Sequence, residues 1–88
     1  MTYNELRNDV NAEKYPFERS QVLARGLVEL LAPGERVEMR DIVATLNVTN
    51  HIAGAAAFKL CDLGFLVRTF KDGFIRTDKD AKLLDSGK

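Results

Sequence analysis

The segment DIVATLNVTNHIAGAAA, residues 41–57, contains two helical patterns separated by a short polar turn. The apolar positions of the first helix are Ile42, Val43 and Leu46. Asp41 lies in its first turn, where the helix dipole favours a carboxylate, and Asn47 tolerates the left-handed conformation that ends a helix. Thr49 or Asn50 then caps the second helix, because either side chain accepts a hydrogen bond from a free backbone N–H. The segment therefore predicts two short helices that meet at a steep angle.

The second helix of this pair contains few charged residues and many small ones. We expect it to run to Leu63 and to stop at Gly64. The residues predicted to face inward are Ala53, Ala57, Leu60 and Leu63. The opposite face is predicted to hold His51, Ala55, Phe58, Lys59 and Asp62. Because small residues let a helix backbone come close to its neighbour, this helix is predicted to lie in tight contact with another surface.

A β-hairpin is predicted downstream of this helix. The two β-type runs are FLVRTF at 65–70 and FIRT at 74–77. They flank the sequence KDG, in which Asp72 and Gly73 fit a tight hairpin turn. Phe70 and Phe74 lie on either side of this turn, so we expect them to pair across the two strands.

Three further elements are predicted upstream of residues 41–57. Thr2 and Glu5 have the spacing of a capping box at the start of a short helix. The buried face of that helix is predicted to hold Leu6 and Val10. Pro16 suits the first turn of a longer helix, in which Gly26 indicates close approach by a neighbouring element. The apolar positions of the longer helix are Val22, Leu23, Leu27, Leu30 and Leu31. ERVEM, at 35–39, is too short for a helix and predicts a strand.

The chain is predicted to form one α+β domain, mainly helical, over residues 1–88. Thr77 is predicted to cap a closing helix whose Leu83 and Leu84 return to the core. The predicted parts are an N-terminal helix or arm at 1–15, a core and hairpin at 16–77, and a C-terminal helix at 78–88.

The predicted order of elements is that of a winged helix-turn-helix domain, in which a three-helix core carries a β-hairpin wing. DIVATLNVTNHIAGAAA resembles the pattern D-I-A-x-x-L-G-V-S-x-x-T-V-S-x-x-L of bacterial and phage regulators. The direct matches are Asp41, Ile42, Leu46 and Val48. Thr49 stands for the serine of that pattern, and Asn47 replaces the turn glycine.

Residues 60–84 are similar to a pattern of the MarR and PadR-like families, L-x-x-x-G-L-V-x-R followed by a wing and L-T-x-x-G-x-x-L-L. The positions that carry this match are Leu60, Gly64, Phe65, Leu66, Arg68, Thr77, Leu83 and Leu84. Asp80 stands where a glycine is usual. Together the two patterns cover residues 41–84, about half of the chain.

This resemblance implies a sequence-specific, DNA-binding transcription regulator. Its third core helix would lie in the major groove of double-stranded DNA, and its wing would contact phosphates. The implied base-reading residues are Thr49, Asn50, His51 and Ala55, with Lys59 further along the helix. The implied phosphate contacts are Arg68, Lys71 and Arg76. The resemblance also implies a homodimer through the N-terminal segment and the closing helix, although a monomer stays open.

A second function also fits the outer face of the same helix. Ile52, Ala55 and Phe58 would present apolar groups to a protein partner. The chain would then be an adaptor that docks on the transcription or replication machinery. Phe58 has the alternative of folding onto the hairpin or onto the N-terminal segment. Winged helices also associate with RNA or the ribosome, so that third possibility stays open by analogy.

Composition limits the remaining classes of function. Thirteen basic residues balance thirteen acidic ones, so the whole molecule exerts no long-range attraction on nucleic acid. Residues 49–77, however, carry four basic side chains against two acidic ones. No apolar run approaches the ~18 residues of a membrane span and no signal peptide is evident, so we expect a cytoplasmic protein. With one histidine and only Cys61 as a thiol, we expect no catalytic site, metal or cofactor.

Overall fold

The computed structural model describes the backbone of residues 1–86 and the side chains of residues 1–84. Its elements are α1 (Tyr3–Ala12), α2 (Pro16–Leu30), β1 (Arg36–Glu38), α3 (Met39–Leu46), α4 (Asn50–Asp62), β2 (Leu66–Thr69), β3 (Gly73–Arg76) and α5 (Lys82–Ser86). The three strands form one antiparallel sheet in the order β1-β3-β2. The protein is therefore an α+β fold that is mainly helical, as the sequence predicts.

Helix α1 begins at the predicted capping box. The Thr2 hydroxyl accepts a hydrogen bond from the Glu5 backbone N–H at 3.2 Å, and the Glu5 carboxylate accepts one from the Thr2 N–H at 3.0 Å. Leu6 and Val10 are fully buried, which confirms the predicted inner face of this helix. The N-terminal segment therefore contributes to the core.

Gly26 of α2 lies directly under Leu6 of α1. A Cβ atom added at Gly26 would be 2.1 Å from Leu6 Cδ1, far inside van der Waals contact. The predicted close approach of a neighbouring element is thus confirmed, and that element is α1. Only a residue without a side chain lets the two helices pack at this distance.

The turn between α3 and α4 follows the sequence closely. Asn47 adopts the left-handed conformation, with φ 53°, and ends α3. Of the two capping alternatives, Thr49 is the cap, because its hydroxyl accepts a hydrogen bond from the Ile52 N–H at 3.2 Å. Asn50 is then the first residue of α4. Gly64, with φ 87°, follows the end of this helix as predicted.

The buried face of α4 is rotated from the predicted one. The buried residues of α4 are Ile52, Ala53, Ala56, Ala57 and Leu60. Leu63 is exposed, so its predicted inward position is wrong. Ile52 is only 5% exposed, so its predicted place on the outer face is also wrong. The larger Ile52 side chain fills the core near the start of the helix, and this orients the alanines behind it.

The hairpin turn lies one residue earlier than predicted. Lys71 and Asp72 are its central residues, both with positive φ (56° and 54°), and the Gly73 N–H donates to the Phe70 carbonyl at 3.1 Å. Gly73 instead opens β3 beneath the side chain of Arg36. An added Cβ at Gly73 would be 2.4 Å from Arg36 Nη2. A side chain at Gly73 would therefore displace the Arg36 guanidinium, so this close contact, and not the turn, explains the glycine.

The closing helix is shorter than predicted. Helix α5 begins at Lys82, whose N–H donates to Asp80 Oδ1 at 3.0 Å. Thr77 does not cap it, because α5 begins only at Lys82; the Thr77 hydroxyl donates to the Gly64 carbonyl at 2.7 Å and accepts from the Lys79 N–H at 3.4 Å. Leu83 is 51% exposed, against expectation, whereas Leu84 packs partly buried against the core. The last part of the predicted helix, 87–88, lies outside the described residues.

The core lies between the helices and one face of the sheet. Its buried apolar residues are Leu6, Val10, Leu23, Ala24, Leu27, Val28, Leu31, Ile42, Leu46, Ile52, Ala53, Ala56, Ala57, Leu60, Phe65, Leu66 and Phe74. Within residues 1–86, no helix combines the length and the apolarity that crossing a bilayer requires.

Candidate nucleic-acid interface

The first half of α4 has an exposed face made of small and polar side chains. Thr49, Asn50, His51 and Ala55 are all exposed there. The hydroxyl of Thr49 already accepts the capping hydrogen bond, so Asn50 and His51 carry the more available polar groups. The Asn50 amide has both donor and acceptor atoms, and Ala55 presents only a methyl group. This face can form hydrogen bonds to flat polar edges and tolerates close approach.

Phe58 connects this face of α4 to the hairpin. Its ring centroid is 6.0 Å from that of Phe74 in an edge-to-face arrangement, and Arg68 Cζ lies 5.2 Å from the Phe58 centroid. Ala55 is a surface neighbour of Phe58, because residues three apart on a helix are adjacent. The predicted alternative in which Phe58 folds onto the hairpin is therefore confirmed, although its side chain remains 44% exposed.

The predicted pairing of Phe70 with Phe74 is wrong. Phe74 is fully buried on the core face of β3, where it contacts Phe58. Phe70 belongs to the turn, and its side chain is 73% exposed. The two rings do not pair because Phe74 lies opposite Arg68 of β2, whereas Phe70 lies beyond the last residue of that strand.

Two of the predicted phosphate contacts, Arg68 and Lys71, are exposed on the hairpin. Arg68 Nη2 lies 3.3 Å from Asp72 Oδ1, and both side chains of this pair are largely exposed. Exposed ion pairs of this kind contribute about 0–1 kcal/mol, so a phosphate can replace Asp72 at little cost. Lys71 is at the turn itself, where its positive φ holds it at the outermost point of the hairpin.

Arg76, the third predicted phosphate contact, is in the core. It is 5% exposed, its Nε donates to the Val28 carbonyl at 3.3 Å, and its Nη1 donates to the Thr77 carbonyl. Val28 lies in the last turn of α2, whose carbonyls lack partners within the helix. Arg76 therefore caps the C-terminal end of α2, where the helix dipole also favours a cation. The prediction that Arg76 contacts a phosphate is wrong for this reason.

Lys79 makes a similar contact at the end of α4. Its ammonium donates to the Leu63 carbonyl and lies 4.9 Å from the centroid of the Phe65 ring. Arg76 Cζ lies 5.7 Å from the same centroid. The last residue of β3 and the segment after it thus bring one cation to each of two helix ends.

Lys59 lies apart from the other predicted base-reading residues. It lines a groove of about 870 Å³, together with residues of α1, α2 and α5. Lys59 follows Phe58 in the helix, and consecutive residues are separated by about 100° around the axis. Since Phe58 faces the hairpin, Lys59 is directed toward the groove instead.

Sequence reasoning missed a cluster built around Arg36. Arg36 Cζ lies 4.8 Å from the centroid of the Phe70 ring, and Nη2 donates to the Phe70 carbonyl at 2.9 Å. Nη1 donates to Glu38 at 2.9 Å, and Arg40 donates to the same carboxylate at 2.8 Å. The hydrogen bond from Arg36 is the main cause that lowers the pKa of Glu38. No local sequence signal identifies this cluster, because it depends on the pairing of β1 with β3.

Cys61 is partly buried beside the core. Desolvation by this burial is the main cause that raises the pKa of its thiol. A raised pKa keeps the sulfur in its unreactive thiol form. In the part of the chain with described side chains, no group of three histidine, cysteine or acidic residues is placed to hold a metal ion.

Comparison with known proteins returned no match, whether against models of protein families, curated proteins or solved structures. The function of the chain is therefore inferred from its own residues.

Proposed function

We propose that the chain is a winged helix-turn-helix protein that regulates transcription by binding a specific DNA sequence. Helix α4 would enter the major groove, and the β2–β3 hairpin would contact the phosphate backbone. The observation that carries this proposal is the contact between Phe58 and Arg68, which joins the polar face of α4 to the cations of the hairpin. A base-reading element and a phosphate-binding element then form one surface.

The side chains of this surface suit a major groove. The amide of Asn50 can donate to and accept from the edge of an adenine, and the methyl of Ala55 can contact that of a thymine. Gly54 and Ala55 leave little bulk between the α4 backbone and the bases. Arg68 and Lys71 would each neutralise a phosphate and release its condensed counterion.

The alternative of a protein-docking adaptor loses part of its support. Its apolar face needed Ile52, Ala55 and Phe58, but Ile52 is buried in the core. Phe58 is also partly covered by the hairpin, through Phe74 and Arg68. What remains exposed on the first half of α4 is mainly polar.

Binding to a mixed pool of genomic duplex DNA should weaken steeply as salt rises from about 50 to about 200 mM. We expect the Arg68→Ala/Lys71→Ala variant to show a slope of log affinity against log salt that is shallower by about 2, since each phosphate contact contributes about 0.9. Fluorescence anisotropy measures both slopes.

The matched control is Lys14→Ala/Lys82→Ala, which removes two positive charges from exposed positions on the α1–α2 connection and on α5. We expect its slope to equal that of the wild type. If the folded wild-type protein does not bind duplex DNA even at the lower salt concentration, the proposed function is wrong.

The role of Asn50 is tested on a duplex selected from the bound fraction of the pool. We expect Asn50→Ala to weaken binding to that duplex by tenfold or more, as loss of a bidentate base contact costs about 1–3 kcal/mol. Its affinity for the mixed pool should stay unchanged. Asn8→Ala, at an exposed position of α1, is the matched control. Equal weakening on both DNAs would show that Asn50 does not read a base.

A further inference from the structure

Phe70 presents one face of its ring to solvent while the other face is covered. Arg36 Cζ lies 4.8 Å from the ring centroid, yet the side chain of Phe70 remains 73% exposed. Because the guanidinium covers one face, the exposed area consists of the opposite face and the ring edge. The hairpin therefore carries an open aromatic surface of defined orientation.

Several contacts hold the guanidinium of Arg36 beneath this ring. It donates to the Thr69 hydroxyl at 3.3 Å, to the Phe70 carbonyl at 2.9 Å and to Glu38 at 2.9 Å. Gly73 leaves the space that the guanidinium occupies. The Phe70 ring and the guanidinium beneath it, here called the platform, are thus positioned by residues of three strands and the turn. This is more support than a single exposed cation–π contact requires.

The same surface continues along the outer face of the sheet. Val67 and Arg36 both pair with Ile75, so the three side chains lie on one face. Val67 is exposed there, and it extends the apolar area next to the platform. This face is opposite the one that Phe74 and Leu66 bury in the core.

The charge around Phe70 is positive. Residues 36–40 and 68–72 meet at this end of the sheet, where the Met39 N–H donates to the Asp72 carbonyl at 2.9 Å. Arg68 pairs with Phe74 and therefore lies on the other face of the sheet. The remaining residues of the two segments carry three basic side chains and two acidic ones, in a chain whose formal net charge is zero. An aromatic platform in a basic surface favours ligands that combine a flat ring with a phosphate.

Lys71, next to Phe70, has a backbone conformation that disfavours its side chain. Its φ of 56° is one that lysine rarely adopts, and asparagine or glycine would fit there with less strain. Lys71 therefore adds an exposed cation to the turn, next to Phe70 in the chain, in spite of this strain.

We propose that the open face of Phe70 binds an unpaired nucleobase of the DNA by stacking. The protein would then prefer a duplex with a single-stranded or melted segment next to the part read by α4. This inference rests on the proposed function and adds a second contact to it. A base paired inside the duplex cannot offer its face to the platform, because its neighbours cover both sides.

The test compares three forms of the mixed duplex pool at constant salt: blunt ends, a short single-stranded thymidine extension, and an abasic extension of equal length. The abasic form keeps the added phosphates and lacks the bases. We expect the thymidine extension to increase affinity about tenfold over both other forms, from the usual strength of base–aromatic stacking.

The Phe70→Leu variant should lose this gain and retain the affinity of the wild type for blunt duplex. Phe70→Tyr should keep the gain, because tyrosine also stacks. Phe17→Leu is the matched control, since Phe17 is 63% exposed at the start of α2 and the substitution is the same. Thermal unfolding of each variant verifies that the fold is intact.

Equal affinity for the thymidine and abasic extensions would overturn the inference, and so would a gain that Phe70→Leu preserves. In both cases salt-sensitive binding to blunt duplex would leave the proposed function standing. Absence of wild-type binding to blunt duplex would overturn the proposed function and the inference together.

Discussion

The Arg76→Met variant should lose about 2–3 kcal/mol of its free energy of unfolding. Methionine keeps much of the length of the side chain but cannot donate to the Val28 and Thr77 carbonyls. Hydrogen bonds to charged groups contribute about 1.5–3 kcal/mol, and acceptors left without a donor in a buried place add to the loss. For a domain of this size, the midpoint of thermal unfolding should fall by about 10–20 °C.

Arg68→Met is the control for this measurement. It removes the same charged group from an exposed position on the neighbouring strand. We expect it to change the free energy of unfolding by less than about 1 kcal/mol. If Arg76→Met unfolds like the wild type and loses affinity for DNA, then Arg76 acts at the DNA surface and the described helix cap contributes little.

The Gly26→Ala variant should be destabilised by about 2 kcal/mol, although alanine is normally the better helix former. The gain in helix propensity is about 1 kcal/mol. Against it, the added methyl group would meet three carbon atoms of the Leu6 side chain at 2.1–2.9 Å. Leu6 is fully buried, so overpacking must displace α1, at a typical cost of 1–3 kcal/mol or more. Denaturant unfolding measures the difference.

For Gly54 of α4, we expect substitution by alanine to have the opposite effect on stability. An added Cβ there would meet only the Phe58 ring, at an ordinary distance of 3.7 Å. We expect Gly54→Ala to stabilise the fold by about 0.5–1 kcal/mol. In addition, Leu6→Ala/Gly26→Ala should be no less stable than Leu6→Ala, because the methyl then fills vacated space. Equal stabilisation by both glycine substitutions would mean that α1 does not pack on α2 as described.

Signals within a few residues of each other predicted most of the helix ends. Thr2 with Glu5, Pro16, Asn47 and Gly64 each act through local backbone geometry, and each is found where the sequence predicts it. The closing helix is the exception. Thr77 would suit a cap, but the helix begins only at Lys82, and the Thr77 hydroxyl accepts from the Lys79 N–H instead.

The rotation of α4 could not be decided from its sequence. Ala53, Ala57 and Leu60 belong to both the predicted and the observed inner face. The two faces differ in whether Leu63 or Ile52 completes them. Because alanine side chains bury little apolar area, neither choice was clearly favoured by the pattern.

The position of Arg76 follows from the alternation of side chains along a strand, which can be read from the sequence. Phe74 and Arg76 are two residues apart and therefore share a face of β3. Once Phe74 is in the core, Arg76 must follow it. Arg76 was predicted to be a hairpin cation from the resemblance to winged-helix regulators, which does not take this alternation into account.

The cluster of Arg36, Glu38 and Phe70 could not be predicted from local patterns in the sequence. Arg36 and Phe70 are brought together by the register in which Arg36 pairs with Ile75. Such a register depends on how a distant three-residue strand docks, and no nearby residue specifies it. The contacts of the candidate interface therefore depend more on tertiary structure than its helices do.

The hydrogen bonds made by the last residue of β3 and by the segment after it have a consequence for recognition. Arg76 donates a hydrogen bond to the Val28 carbonyl at the end of α2. Thr77 donates to the Gly64 carbonyl, and Lys79 donates to the Leu63 carbonyl at the end of α4. These bonds fix the hairpin relative to α4, so little conformational entropy should be lost when a ligand contacts both. However, because the hairpin is fixed relative to α4, the protein cannot adjust the distance between them to its ligand. On the proposed function, the deformability of each DNA site would then help to decide which sites are bound.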